Sequence, residues 1–197
     1  MTEMIISCLI SYIIGSIPNG LILGKAVWGV DLREHGSKNI GATNAWRTIG
    51  RAAGISIFAL DLLKGVIGAA MGLYAVATPL AGVLCGILVV VGHSWSMFLG
   101  FKGGKSVATG LGVLVMLMPQ IAGIVFLVWL AIVFVTRYVS LGSIIGAAFV
   151  PVLAYIFSQP VEYLVFGLLA AVFIIYRHKA NISRLMNGTE SKIKAAK

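Results

Sequence analysis

Long apolar runs recur along the whole chain, at Met4–Trp28, Ala52–Ala77, Leu80–Val91, Leu141–Ser158 and Val161–Tyr176, with a further stretch over Lys105–Thr136. A hydrocarbon core about 30 Å thick takes about 20 apolar residues as a helix, and backbone inside lipid must satisfy its own hydrogen bonds. The runs therefore read as helices of a membrane bundle. As one helix, Lys105–Thr136 would extend about 48 Å at 1.5 Å per residue, too long for a single crossing. Pro119 lies near its middle, where a helix interior loses a hydrogen bond and clashes with the preceding turn. The stretch divides into Lys105–Met118 and Gln120–Thr136, and the count becomes seven spans.

The composition leaves little room for anything else. Of 197 residues 59% are hydrophobic and 11% charged, and the mean hydropathy is +1.02, whereas a soluble globular domain has about 25% charged residues. A soluble domain and a disordered chain are both excluded. The expectation is an all-α, polytopic membrane bundle of seven transmembrane helices with short loops, one membrane-embedded domain over residues 1–197. Cys8 and Cys85 lie inside apolar runs and read as small packing residues. Pairs such as Gly68/Gly72 and Gly142/Gly146 read as close helix packing.

The charge balance, 15 Lys+Arg against 6 Asp+Glu, gives the orientation. With seven spans one side receives Arg33, Lys38, Arg47 and Arg51, then Lys102 and Lys105, then Arg137. The same side receives the tail with Arg177, Lys179, Arg184, Lys192, Lys194 and Lys197. The other side receives Glu3 and Glu162 and no Lys or Arg. The positive-inside rule then places the N-terminus outside and the C-terminus in the cytoplasm.

Three segments on the basic side concentrate small donors and cations. His35–Arg47 contains Gly36 and Gly41, which let the backbone turn N–H groups toward one anion. It adds the neutral donors Ser37, Asn39, Thr43 and Asn44 and the charges of Lys38 and Arg47. Arg suits phosphate because its fork binds two oxygens at once. Gly92–Ser106 looks like a nucleotide-binding loop but has Leu99 where that loop requires glycine, and no strand precedes it, so nucleotide hydrolysis is rejected. What survives is Gly103, Gly104, Lys105 and Ser106 opening a helix whose N-terminus favours an anion. The third segment, Tyr176–Glu190, carries Arg177, His178, Lys179 and Asn181; Arg137–Ser143 also reaches this face.

Asp61 and Lys64, three apart on one helical face, read as an intramembrane ion pair that holds the bundle. No carboxylate cluster on the basic side suits Mg²⁺, and no Cys/His set suits Zn²⁺. None of the three histidines has the aspartate five residues on that a His–carboxylate acyltransferase dyad would need. The basic face thus gathers glycines, hydroxyls and cations with almost no candidate general base, a combination suited to binding phosphorylated substrates.

The chain resembles the bacterial acyl-phosphate:glycerol-3-phosphate acyltransferases of the PlsY type. The resemblance rests on Ser16–Gly20, Gly36–Asn44 with Arg47, Leu60–Gly65, Gly92-His93, Phe101–Thr109 and Arg177–Leu185, in the expected order along nearly the whole chain. Two positions depart from the pattern: Lys38 and Ser106 stand where the family usually has glycine. The resemblance implies transfer of a fatty acyl group from a long-chain acyl-phosphate to the 1-hydroxyl of glycerol-3-phosphate. The products are 1-acyl-glycerol-3-phosphate (lysophosphatidic acid) and inorganic phosphate, a step of phospholipid synthesis. It also implies Ser37, Arg47, Lys105, Ser143, His178 and Asn181 as the polar site, to which the residues above add Asn39, Gly41, Thr43, Asn44, His93, Gly103 and Gly104 as substrate contacts.

Under this reading the enzyme is a multi-pass protein of the bacterial cytoplasmic membrane, with its site facing the cytoplasm. It needs no metal, cofactor or nucleic acid and works as a monomer. Either His178 or the donor's own phosphate removes the proton from the glycerol hydroxyl, and the cationic neighbourhood of His178 favours the phosphate. The rival reading is a transporter for a phosphorylated or other anionic solute. Such a protein would hold its substrate near mid-membrane on broken helices, often in inverted repeats.

Overall fold

The computed structural model describes residues 1–193, so Lys194 and Lys197 lie outside the described residues. The described residues form helices and turns without a strand. They fall into two compact units, the first over Met1–Val113 and the second beginning at Leu114.

The first unit opens with α1 (Thr2–Ser16) and α2 (Asn19–Trp28). The sequence reads Met4–Trp28 as one helix, but Pro18 interrupts it. A residue before proline is pushed out of the helical region, and Ile17 accordingly takes φ −58° and ψ 117°. After a turn come α3 (Ala42–Thr48), α4 (Arg51–Ala75) and α5 (Pro79–Ser94). Thr78 caps α5 by accepting from the Ala81 N–H at 3.2 Å, with Pro79 at the first position, where its missing N–H costs nothing.

Close packing follows from small residues. A Cβ at Gly15 would lie 2.2 Å from the Val89 carbonyl oxygen of α5, and one at Gly65 would lie 2.0 Å from the Thr109 oxygen. Neither position has room for a side chain, so α1 meets α5, and α4 meets α6 (Val107–Leu117), nearly backbone to backbone. Ser11 of α1 completes the contact by donating to the Gly68 carbonyl at 3.1 Å.

Helix α6 (Val107–Leu117) carries the boundary between the units. The second unit then has α7 (Pro119–Thr136), α8 (Val139–Ile156), α9 (Val161–Arg177) and α10 (Lys179–Met186). Pro119 occupies the first position of α7, so the division expected there is present. Small residues again let helices approach: a Cβ at Gly142 of α8 would sit 3.0 Å from the Trp129 ring of α7.

All seven apolar runs are helical, but they differ in reach. Five segments are long and apolar enough to cross a membrane: Thr2–Trp28, Arg51–Ala75, Pro79–Leu99, Pro119–Thr136 and Val139–Ile156. Helix α9 makes a sixth only when taken with α10, which bends away by 59°. Helix α6, at 11 residues, extends only about 16 Å. It is shorter than the sequence suggests because Lys105 and Ser106 stay outside it, Ser106 in the left-handed region at φ 59°. Phe134, Val135 and Val172 are each more than two-thirds exposed, a pattern that suits lipid and not water.

Candidate active site

The loop between α2 and α3 is organised by one buried amide. The Asn44 side chain donates to the carbonyls of Leu32 (3.1 Å), His35 (3.1 Å) and Asn39 (2.8 Å). Its Oδ1 accepts the Ser37 N–H at 2.9 Å. The Asn39 Oδ1 in turn accepts the Gly41 N–H at 2.9 Å. Two backbone donors that the sequence offers to an anion are therefore used to fold the loop itself, and the Asn44 amide with them. Gly41 has an ordinary φ of −78°. Gly36 is different: its φ is +57°, and a Cβ there would lie 2.3 Å from the Asn44 oxygen.

The loop hands its remaining chemistry to side chains. The Ser37 hydroxyl and Lys38 are exposed, Thr43 lies in the first turn of α3, and Arg47 follows one turn later. Helix α3 is seated by a small core of Leu32, Ala45, Ala53 and Ile57, against which Trp28 and Ile49 pack, so Arg47 stands on an anchored turn. At the start of the loop Asp31 is bonded by Arg33 (2.7 Å) and Lys25 (2.9 Å). These two cations hold its carboxyl well below the usual carboxylate range.

Both departures from the family pattern fall on left-handed backbone, Lys38 at φ 57° and Ser106 at φ 59°. A Cβ in that region costs about 1 kcal/mol. Ser106 offsets the cost, because its Oγ donates to the Val90 carbonyl at 2.7 Å and lies 2.7 Å from the Ser94 Oγ. Exposed Lys38 has only the turn bond of its N–H to the His35 carbonyl to set against that cost. Lys38→Gly is therefore expected to stabilise the protein by about 1 kcal/mol, read as a raised melting temperature, with Ser106→Gly giving no such gain.

The second segment folds back on the end of α5. After the short 3₁₀ turn Met97–Leu99, the Gly103 N–H donates to the Ser94 carbonyl and the Gly104 N–H to the His93 carbonyl, each at 3.0 Å. Gly103 and Gly104 thus do not open a helix; they lie against α5 just before Lys105. Their lack of side chains is required by closeness, since a Cβ at Gly104 would sit 2.0 Å from the His93 Nε2. The Ser94 Oγ fastens the same strip by donating to the Gly104 carbonyl at 3.1 Å. Lys105 leaves this strip as its cation.

In the second unit Ser143, on α8, donates to the Val139 carbonyl at 2.9 Å and accepts from the Trp129 indole at 3.3 Å. His178 sits at the bend between α9 and α10, buried, with Nδ1 2.8 Å from the Ile174 carbonyl. A carbonyl can only accept, so Nδ1 carries the proton and a neutral ring keeps its lone pair on Nε2. Asn181, one turn into α10, donates to Glu190 at 2.7 Å.

Glu190 is the residue that sequence reasoning missed. It is 7% exposed and accepts from Ser140, Asn181 and Arg184, each at 2.7 Å. Burial pushes its carboxyl up, but the three hydrogen bonds and the Arg184 charge outweigh that, and its pKa is lowered. The basic-side segments therefore do contain a buried carboxylate, held as an anion and occupied in fastening the chain after α10.

Comparison with known proteins gives this arrangement its class. A sequence profile described as glycerol-3-phosphate acyltransferase matches residues 5–188. A glycerol-3-phosphate acyltransferase of Desulforamulus reducens is 45% identical over 183 residues, covering 93% of this chain and 92% of that protein. One from Bacillus velezensis is 45% identical over 193 residues, covering 97% of this chain and 99% of that one. Among solved structures, PlsY, an integral membrane glycerol 3-phosphate acyltransferase, in its glycerol 3-phosphate form superposes with a TM-score of 0.91. It is 39% identical and covers 97% of this chain and 96% of its own. Its lysophosphatidic acid form gives 0.89 at 38% identity, with 96% and 94% covered. The fold is that of an integral membrane acyltransferase. The chain belongs to the glycerol-3-phosphate acyltransferase family, of the PlsY type.

Proposed function

We propose that this chain transfers a fatty acyl group from a long-chain acyl-phosphate to the 1-hydroxyl of glycerol-3-phosphate. The hydroxyl oxygen bonds to the acyl carbon, the acyl–phosphate bond breaks, and the hydroxyl proton leaves on phosphate. The products are 1-acyl-glycerol-3-phosphate and inorganic phosphate. The observation that carries the reading is membership of the family over residues 5–188, in a chain whose Arg47 stands on a seated helix and whose Lys105 leaves a strip bonded to α5. Family membership also decides against a transporter.

The chemistry asks little of the protein beyond orientation and charge. A mixed anhydride already carries a good leaving group, so acyl transfer gains most from positioning and from stabilising the oxyanion. Arg47 and Lys105 supply charge-assisted bonds to phosphate, supplemented by the Ser37 and Thr43 hydroxyls. The family resemblance adds Ser143 and Asn181 to the polar set. His178, with its lone pair on Nε2, accepts a hydrogen bond from glycerol-3-phosphate and orients it, and the donor's phosphate takes the proton. His178→Gln is therefore expected to raise the KM for glycerol-3-phosphate and to keep measurable turnover. A lost kcat with unchanged KM would instead make His178 the base.

The enzyme crosses a bacterial cytoplasmic membrane with seven helices, α6 and α9 included, N-terminus outside and the basic loops in the cytoplasm, as the one-sided distribution of Lys and Arg supports. It works as a monomer. The experiment that tests the reaction uses purified protein, labelled glycerol-3-phosphate and either palmitoyl-phosphate or palmitoyl-coenzyme A, in EDTA. Labelled lysophosphatidic acid is expected with the first donor only. Comparable turnover with the thioester, or activity that returns only on adding Mg²⁺, contradicts the reading.

A further inference from the structure

The Asp61–Lys64 pair does more than the sequence suggests. Lys64 is fully accounted for by its surroundings: its Nζ lies 3.1 Å from the Asp61 Oδ1 and donates to the Gly15 and Ile17 carbonyls at 2.9 and 3.0 Å. It thereby caps the end of α1 at the Pro18 break. Asp61 has two further neighbours on the same oxygen. The Asn19 amide donates to it at 3.0 Å, and the His93 Nδ1 lies 3.7 Å away. At that distance the contact is electrostatic and longer than a hydrogen bond. Asp61, Lys64 and His93 are all nearly buried, at 2%, 5% and 5% exposure, so little solvent screens them.

The opposite edge of the His93 ring faces the strip that carries Lys105. Its Nε2 is so close to Gly104 that a Cβ there would sit at 2.0 Å, while its own carbonyl accepts the Gly104 N–H. The ring is thus clamped between a buried carboxylate and the residue just before Lys105. A carboxylate beside Nδ1 favours a proton on that nitrogen, which leaves the lone pair of a neutral ring on Nε2, toward the strip.

We propose that Asp61 is a positioning residue for acyl transfer: through the orientation and proton placement of His93 it sets the path of Gly104 and hence where Lys105 meets phosphate. This rests on the reading of Lys105 as a phosphate-binding cation. A merely structural Asp61 would serve only to neutralise Lys64, and the two roles separate experimentally. A buried ion pair can often be replaced by apolar residues of similar size without loss of stability, so Asp61→Leu/Lys64→Met removes the carboxylate without leaving Lys64 as an unbalanced buried charge.

The experiment compares the full-length wild type, the double variant and Lys105→Ala by steady-state kinetics in glycerol-3-phosphate. Lys105→Ala is expected to raise KM strongly. The double variant is expected to raise KM roughly tenfold, the loss of one charged contact, with kcat changed much less. If Lys105→Ala raises KM and the double variant behaves as wild type, Asp61 is structural and the proposal falls while the function stands. If Lys105→Ala leaves KM unchanged, the phosphate reading of Lys105 falls and this proposal with it. A second measurement is independent of how well the double variant folds: ring ¹⁵N resonances of His93 in wild type and Asp61→Asn, assigned with His93→Gln. The wild type should show the Nδ1–H form and Asp61→Asn a shift toward Nε2–H; identical ring signals in the two proteins would overturn the proposal.

Discussion

Arg47→Ala is expected to lower kcat/KM for glycerol-3-phosphate by about three orders of magnitude, and Lys105→Ala by about two. A hydrogen bond to a charged group is worth about 1.5–3 kcal/mol. The guanidinium fork offers two such bonds to one phosphate where an ammonium offers a point charge. Removing the fork also leaves phosphate charge without its partner in the site. Arg47→Lys restores the charge but not the geometry and should recover only part of the loss. Arg47 stands on α3, which is seated by the buried core of Leu32, Ala45, Ala53 and Ile57, so the melting temperature of Arg47→Ala should stay close to wild type. Steady-state kinetics beside a melting curve checks both halves; a large drop in stability would mean that Arg47 holds the fold and not the substrate.

Glu190→Ala is expected to have an effect of similar size by a different route. It removes the acceptor of three bonds of 2.7 Å, from Ser140, Asn181 and Arg184. Bonds to a charged group are worth about 1.5–3 kcal/mol each, and the half-exposed Arg184 contributes least, so the loss is roughly 3–5 kcal/mol. Ser140 and Asn181 are themselves buried, so they lose a partner where water does not readily replace it. Both stability and activity should fall, since Asn181 loses the group that orients it. Glu190→Gln keeps the shape and should be intermediate. Because the folded-state pKa of Glu190 is lowered, its stabilising contribution is complete above the ordinary glutamate range and is lost as pH falls through the lowered value. Acid melting curves of wild type and Glu190→Ala should therefore converge at low pH and stand apart at neutral pH.

The residues explain what sequence reasoning reached and what it did not. Apolar runs located the membrane helices because membrane burial acts on each helix separately, and Pro119 marked the α6–α7 break because its constraint is local. The Asp61–Lys64 pair was legible for the same reason: three residues on one helix share a face. Pro18 carried the same kind of signal as Pro119, yet the apolar run continues past it, and α1 and α2 are separate helices.

Roles inside the loops were harder to read. Asn39, Gly41 and Asn44 have the chemistry of anion donors, but the Gly41 N–H, both Asn39 oxygens and the Asn44 amide are bonded within the loop, and composition cannot show which hydrogen bonds a fold consumes. Gly103 and Gly104 read as an anion cradle, whereas their closeness to His93 and Ser94 is what requires glycine. Glu190 left no local sign at all. One of its partners, Ser140, is 50 residues away in the chain, and no periodicity links them. The left-handed conformation of Lys38 and Ser106 was signalled only by glycine being usual there in the family.

In the proposed reaction acyl-phosphate and glycerol-3-phosphate meet on this membrane protein, and the acyl group passes from the first to the second. The measurement that tests it most directly follows inorganic phosphate and 1-acyl-glycerol-3-phosphate together, with purified wild-type protein, an acyl-phosphate donor and glycerol-3-phosphate. The two products are expected in equal amounts, with neither forming above background when glycerol-3-phosphate is omitted. Phosphate released at the same rate without glycerol-3-phosphate, or acyl-phosphate consumed with no acylated glycerol product, would contradict it.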